Sequence, residues 1–279
     1  AYNTVVGSNA AYDVTSGYSN VAIGYDAGKQ ITTGYKNVII GDSSGGQSVD
    51  PQTGWENIII GWNSGYNLTS GNSNVLIGVG SGYSLNNDGD NIMIGYQTGT
   101  SASLHNAAFG FDALTAINQG DYNVAVGSYA ADAITSGSNN TAVGYIALGG
   151  CTTGNENTTV GMYAGKVIST GFNNTAMGNG ALYTTTTGTR NVAIGHGAGY
   201  SVHESDFNTV VGYSAGDGIS SGENNTCIGA YAGNTGSPGG RVTTGDNQIC
   251  FGDENVANAH IQVDWTIASD KRDKTDVSP

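Results

Sequence analysis

The sequence predicts an all-β chain: a parallel β-solenoid (β-roll) of about fifteen 17-residue coils. Three observations predict it. A motif of Asn, two variable residues, an apolar residue and Gly starts at Asn3, Asn20, Asn37 and Asn57, continues to Asn225 and closes in variant form at Gln248. Its step is 17 residues apart from three irregular ones of 20, 15 and 23, a period shorter than those of ankyrin, leucine-rich or propeller repeats and suited to one turn of a solenoid. The composition fits, with 46 Gly, only 11% charged residues and an abundance of Asn, Thr, Ser, Val and Ile, which favour short strands and tight turns over helices.

Each position of the unit has a physical reason. The leading Asn recurs at one corner, where stacked side-chain amides can form a hydrogen-bonded ladder. The second to fourth positions form the strand: the second is Val, Ile, Thr or Ala and the fourth is always apolar, from Val6 and Ile23 to Phe251. The fifth is Gly in every unit, which implies a backbone conformation or close approach that a side chain would forbid. The eighth is small (Ala27, Ser44, Ser64, Ala232), marking where two walls nearly touch. The thirteenth to fifteenth read as turns, as in Thr32-Thr33-Gly34.

Second and fourth positions share one strand face and the third looks the other way. The third is also mostly apolar (Val5, Ile39, Ile59, Leu76, Met93), with Thr159 the exception. A strand apolar on both faces lines the solenoid with one and meets a partner with the other, and an apolar stripe running the length of the chain marks an interface. The expectation is a homo-oligomer joined through the third-position face, with Cys227 and Cys250, both third-position residues, adjacent in that interface as reduced, buried thiols.

The formal net charge of −14 opposes binding to nucleic acid or anionic membranes, whose phosphates need Lys and Arg. No apolar run approaches the ~20 residues of a membrane span, so no membrane insertion is expected. The three cysteines fit neither a disulfide framework nor a zinc pattern. The chain opens inside a repeat, which predicts a fragment of something longer.

The unit Asn-(Ser/Thr/Val)-x-(Val/Ile)-Gly, with a small residue three further on, resembles the head repeats of trimeric autotransporter adhesins and the repeats of phage tail fibres. The resemblance covers residues 3–252 and implies a homotrimer packed around a threefold axis. After Gly252, the segment HIQVDWTIA (260–268) alternates Ile261, Val263, Trp265 and Ile267, a half-buried strand pattern. Ser269-Asp270-Lys271-Arg272-Asp273-Lys274 then resembles the opening of the self-cleaving intramolecular chaperone of phage tailspikes and tail fibres. That resemblance makes Ser269 and Lys274 a catalytic pair for autocleavage between Ala268 and Ser269, inactive here because the chaperone's body is expected beyond Pro279. The implied organisation is 1–252 repeat domain, 253–268 connecting strand and 269–279 truncated start of the chaperone.

Tyr66 and Tyr83, and likewise Tyr183 and Tyr200, share the tenth position of consecutive coils, so each pair should stack about 4.8 Å apart and offer a ladder for saccharide. These four are the receptor-binding candidates, along with the irregular stretches 48–55, 101–106 and 234–241. Asn86-Asn87-Asp88-Gly89-Asp90 lacks the spaced acidic ligands and terminal Glu of a calcium loop and reads as a turn; no metal site and no cofactor are expected. No nucleophile elbow or phosphate loop occurs in the repeats, so the chain is not expected to be an enzyme.

The leading expectation is a structural and receptor-binding segment of a trimeric tail fibre in a virion, its partner a host cell-surface glycan or other receptor. The alternatives are the head of a trimeric adhesin on a bacterial surface and an ice-binding solenoid, whose flat Thr/Ser ladders are here interrupted by Asn118-Gln119 and Glu204-Ser205.

Overall fold

A computed structural model describes residues 2–47, 50–99, 104–237 and 240–257. These residues form a parallel β-solenoid, with strands of three residues beginning at Thr4–Val6, Val21–Ile23 and Val38–Ile40 and ending at Thr226–Ile228 and Ile249–Phe251. The fifteen strands make one sheet in sequence order, each paired in parallel with its neighbours. Register is strict even across the irregular steps: Val38 pairs with Ile58, Ile92 with Ala107 and Thr226 with Ile249. The described residues contain no helix, and no helix is long and apolar enough to cross a membrane. The alternating strand expected at 260–268 and the Ser269/Lys274 pair lie outside the described residues.

The asparagine ladder forms as expected. The Asn37 side chain donates through Nδ2 to the Gly54 carbonyl (2.9 Å) and to Asn20 Oδ1 (3.1 Å). Its own Oδ1 accepts the Asn57 backbone N–H at 3.0 Å. The pattern repeats through Asn140, whose Oδ1 accepts the Asn157 N–H, and ends with the Gln248 N–H on Asn225 Oδ1. From Asn20 to Asn225 these side chains are at most 1% exposed, so each bond replaces one that buried polar groups would otherwise lack.

The fifth-position glycines explain the other fixed point. Gly144 has φ 135°, and a Cβ there would lie 2.5 Å from the carbonyl oxygen of Gly161 in the next coil. Only a glycine permits that approach. The turn is tied down differently: the N–H groups of Thr15, Ser16 and Gly17 converge on the Thr32 carbonyl at 3.0, 3.2 and 3.1 Å. The same triple donation recurs from Ser220, Ser221 and Gly222 to Thr243.

The expected orientation of the strand is inverted. Third-position residues point into the coil, where Ala22, Ile39, Ile59, Leu76, Met93 and Ala142 are all fully buried. The second and fourth positions face outward; Ile58 is 40% exposed, Phe109 36% and Ile194 39%. The third-position face is therefore the core and not an interface. Cys227 and Cys250 are indeed free, buried and paired in register, but inside the solenoid. Burial, reinforced by Cys250 beside it, pushes the Cys227 thiol up to about 12, which favours the protonated form.

Third-position residues pack inward because the eighth position lies directly opposite and is small. Ser64 Oγ donates to the Leu76 carbonyl at 3.1 Å and Ser81 Oγ to the Met93 carbonyl at 2.7 Å, which ties the eighth position to the third of the next strand. The twelfth position completes the core with Ile31, Leu68, Leu85, Ile117, Ile134 and Ile168, all fully buried. Thr159, the polar third-position residue, is also buried and donates to the Thr141 carbonyl at 3.3 Å.

In several coils the third and ninth positions share one slot, whereas Gly28 and Gly199, opposite Ala22 and Ala193, face side chains of neighbouring coils such as Ile39 and Leu182. Where the third is Ile39 or Met93 the ninth is glycine, and a Cβ on Gly45 or Gly99 would press into that side chain. Where the third shrinks to Ala108, Ala142 or Ala176, the ninth is Leu114, Leu148 or Leu182, fully buried despite φ of 52°, 55° and 49°. The burial of a leucine, roughly 2 kcal/mol, outweighs a left-handed backbone cost of about 1 kcal/mol. Ala142→Ile alone should overpack this slot and destabilise by about 1–3 kcal/mol, and adding Leu148→Gly should recover most of the loss. Additive losses in a denaturation cycle would contradict the shared slot.

Candidate functional site

Both tyrosine pairs expected from the tenth position stack: Tyr66 on Tyr83 and Tyr183 on Tyr200, each with centroids 4.9 Å apart and ring planes within 5° and 9°. Stacking follows from the coil spacing, since identical side chains at one position repeat at the strand separation. It also uses up ring faces, because each ring covers one face of its neighbour.

The pairs differ in surroundings. Tyr183 belongs to a chain of ring contacts along one flank: Tyr96 stacks on Phe111 at 5.0 Å, and contacts pass through Tyr129, Tyr145 and Tyr163 to Tyr183 and Tyr200. Between Phe111 and Tyr183 the rings meet edge to face because they alternate between the sixth and seventh positions before passing to the tenth. Tyr129 and Tyr145 stand at 81° with centroids 6.3 Å apart. Tyr66 and Tyr83 take no part in these contacts.

Beside these rings lies an open groove of about 460 Å³ whose lining includes Tyr129, Tyr145, Gly149, Gly150, Asp132 and Lys166. Its origin is a substitution pattern. Asp132, Gly149 and Lys166 hold the tenth position of three consecutive coils, so the middle coil supplies backbone where its neighbours supply charged side chains. Two coil spacings put the Cα atoms of Asp132 and Lys166 about 10 Å apart.

Both charges are held in place. Lys166 Nζ donates to the Tyr183 hydroxyl at 2.9 Å and sits 5.1 and 5.0 Å from the ring centroids of Tyr163 and Tyr183. That hydrogen bond, and then the nearby tyrosines, raise the Lys166 ammonium above its ordinary pKa, so it is charged at neutral pH. Partial burial raises the Asp132 carboxyl, and the Asp112 carboxylate adds a smaller push in the same direction.

A second aromatic platform escaped the sequence reading. Tyr18, Tyr35 and Trp55 each stand two residues before the next ladder Asn and stack in parallel with centroids 5.0 and 5.7 Å apart. The signal was the one that revealed the tenth-position pairs, three rings at one register. The groove was harder to see, because its marker is the absence of a side chain at Gly149.

Asn86–Asp90 forms turn contacts: Thr69 Oγ1 and Ser70 Oγ donate to Asn87 Oδ1 at 2.7 and 2.8 Å. No cluster of His, Cys, Asp or Glu among the described residues could hold a metal ion. Of the three irregular stretches, 234–241 borders a second hollow of about 470 Å³ lined by Asp217, Tyr231, Asn234, Arg241, Asp253 and Glu254. No protein-family model matches this chain, and no curated protein matches it.

Proposed function

We propose that this chain is the structural and receptor-binding segment of a trimeric phage tail fibre, matured by self-cleavage of a C-terminal chaperone that begins at Ser269. The observation that carries the reading is the outward stripe of second- and fourth-position residues. Val38, Ile40, Ile58, Ile60, Val75 and Ile77 belong to it, and neither position holds a charged residue anywhere between Thr4 and Phe251. Interface centres are depleted of charge in this way. A straight apolar ladder of this length is covered best by another with the same pitch, and identical chains supply one by construction.

Threefold closure around this stripe would cover it. The trimer number and the virion setting rest on the resemblance of the repeats to fibre and adhesin-head repeats, and of Ser269-Asp270-Lys271-Arg272-Asp273-Lys274 to a chaperone opening. The latter favours a fibre over a bacterial surface adhesin. Chaperone-led assembly answers a physical difficulty: long solenoids must find a common register before non-local contacts reward it. In the cleavage itself, Lys274 accepts the Ser269 hydroxyl proton as the oxygen attacks the Ala268 carbonyl; the Ala268–Ser269 C–N bond breaks as the Ser269 nitrogen takes that proton, and water then hydrolyses the resulting ester to give the Ala268 carboxylate and the free Ser269 hydroxyl.

The chain should sediment as a trimer, and Ile58→Asp with Ile60→Asp and Val75→Asp should reduce it to monomers that keep their β-sheet circular dichroism. A folded, monomeric unmodified chain would overturn the assembly reading. Where the gene continues beyond Pro279, its product should appear as two fragments cut between Ala268 and Ser269, and Ser269→Ala or Lys274→Ala should leave one. An intact unmodified product that still assembles would contradict the self-cleavage.

A further inference from the structure

We infer that the groove between Tyr129, Tyr145, Asp132 and Lys166 is a saccharide site that takes one neutral hexopyranose unit. The inference rests on the receptor-binding reading above and names the surface and the ligand class that serve it. Four features of the groove point to a sugar. Its volume, about 460 Å³, falls within the range of small-ligand sites. Tyr129 and Tyr145 meet at 81° and so form a corner, and Tyr145 is 43% exposed. One ring can take the apolar C–H face of a pyranose while the other meets its edge, an arrangement the stacked pair Tyr183 and Tyr200 cannot offer.

The polar groups stand where a ring seated in that corner would present its hydroxyls. Asp132 is acceptor-only when ionised and can take the hydrogens of two neighbouring hydroxyls, while Lys166 and the tyrosine hydroxyls donate to the oxygens at the other end. Lys166 is pinned by Tyr183, so little side-chain freedom is lost when a ligand arrives. Asp132 lies at the other end, and Asp112 beside it adds further negative charge. With a net charge of −14 over the chain, this balance favours a neutral sugar over an acidic one.

The gap itself is specific. The tenth and eleventh positions are Asp132-Ala133 before it and Lys166-Val167 after it, so Gly149-Gly150 opens the groove. A Cβ on Gly149 would come within 2.7 Å of Ile146 Cγ2 and 3.3 Å of Asp132 Oδ1, directly against the groove's acidic end. In a trimer the three symmetry-related grooves would act together, and avidity would raise a weak single-site affinity by orders of magnitude.

The test uses the assembled chain and saturation-transfer NMR with methyl glucoside, galactoside and mannoside, methyl N-acetylglucosaminide and, as an acidic arm, methyl glucuronide. At least one neutral glycoside should receive saturation. Tyr145→Ala, Asp132→Ala and Gly149→Lys should each weaken that binding by ~10-fold or more, the effect of losing a charge-assisted hydrogen bond or a stacking face. Gly149→Lys copies the residue one coil away, and an unchanged melting temperature in Tyr145→Ala keeps the result readable if Gly149→Lys is unstable. Binding that survives all three substitutions, or transfer to the glucuronide alone, overturns the assignment. A sedimenting trimer that gives no transfer from any glycoside also overturns it while leaving the fibre reading standing; a monomer that binds and loses binding on substitution does the reverse.

Discussion

The structure depends on one repeated interaction, the buried asparagine ladder. Most of these side-chain amides bond to the coil before, to the coil after and to the end of their own turn, as Asn140 does with Asn123, Asn157 and Gly154. Removing one such side chain leaves buried donors and acceptors without partners, each worth about 1–3 kcal/mol. The ladder thus fixes register, and register decides everything else. It aligns the fifth-position glycines closely enough that a Cβ would collide with the next coil, and it stacks equivalent side chains at one spacing. Even the steps of 20, 15 and 23 residues return to it, through Asn57, Asn106 and Gln248. Irregular loops are accommodated outside the ladder rather than within it.

Much of this was legible in the sequence because a solenoid converts period directly into position. The strand, the ladder, the small eighth position and the stacking of Tyr66 on Tyr83 followed from residue type at fixed offsets. The direction of the strand did not. A three-residue strand that is apolar throughout gives no alternation to orient it, and Val21-Ala22-Ile23 reads equally well either way up. The deciding information lies elsewhere in the unit: the apolar twelfth position, and the exchange of Ile39 with Gly45 for Ala142 with Leu148. That exchange marks the third and ninth positions as sharing one interior slot. Likewise the groove beside Tyr129 and Tyr145 needed knowledge of which side chains are missing between Asp132 and Lys166.

Turning the strand over changes the functional reading without abandoning it. An uncharged stripe still runs along the strands, but it consists of Thr, Val and Ile at the second position, with Ala107 the one exception, and of Val, Ile, Phe and Met at the fourth. The buried cysteines move from a supposed interface into the core, where burial raises the Cys227 thiol above its ordinary pKa. A rigid core, a coverable stripe and a patterned flank follow from the same 17-residue unit, which lets loops and side chains vary on one surface while the others stay constant.

The central claim is that second and fourth positions are outside each chain yet covered between chains, while the third is inside every chain. Single-cysteine substitutions across one strand, Thr141→Cys, Ala142→Cys and Val143→Cys, test it through the rate of maleimide labelling in the assembled protein and in the dissociated Asp-substituted form. The account predicts that Cys at 142 resists labelling in both forms, and that Cys at 141 and 143 is protected only in the assembly. Rapid labelling of position 142 would contradict the strand's orientation. Equal, rapid labelling of 141 and 143 in both forms would show that nothing covers the stripe.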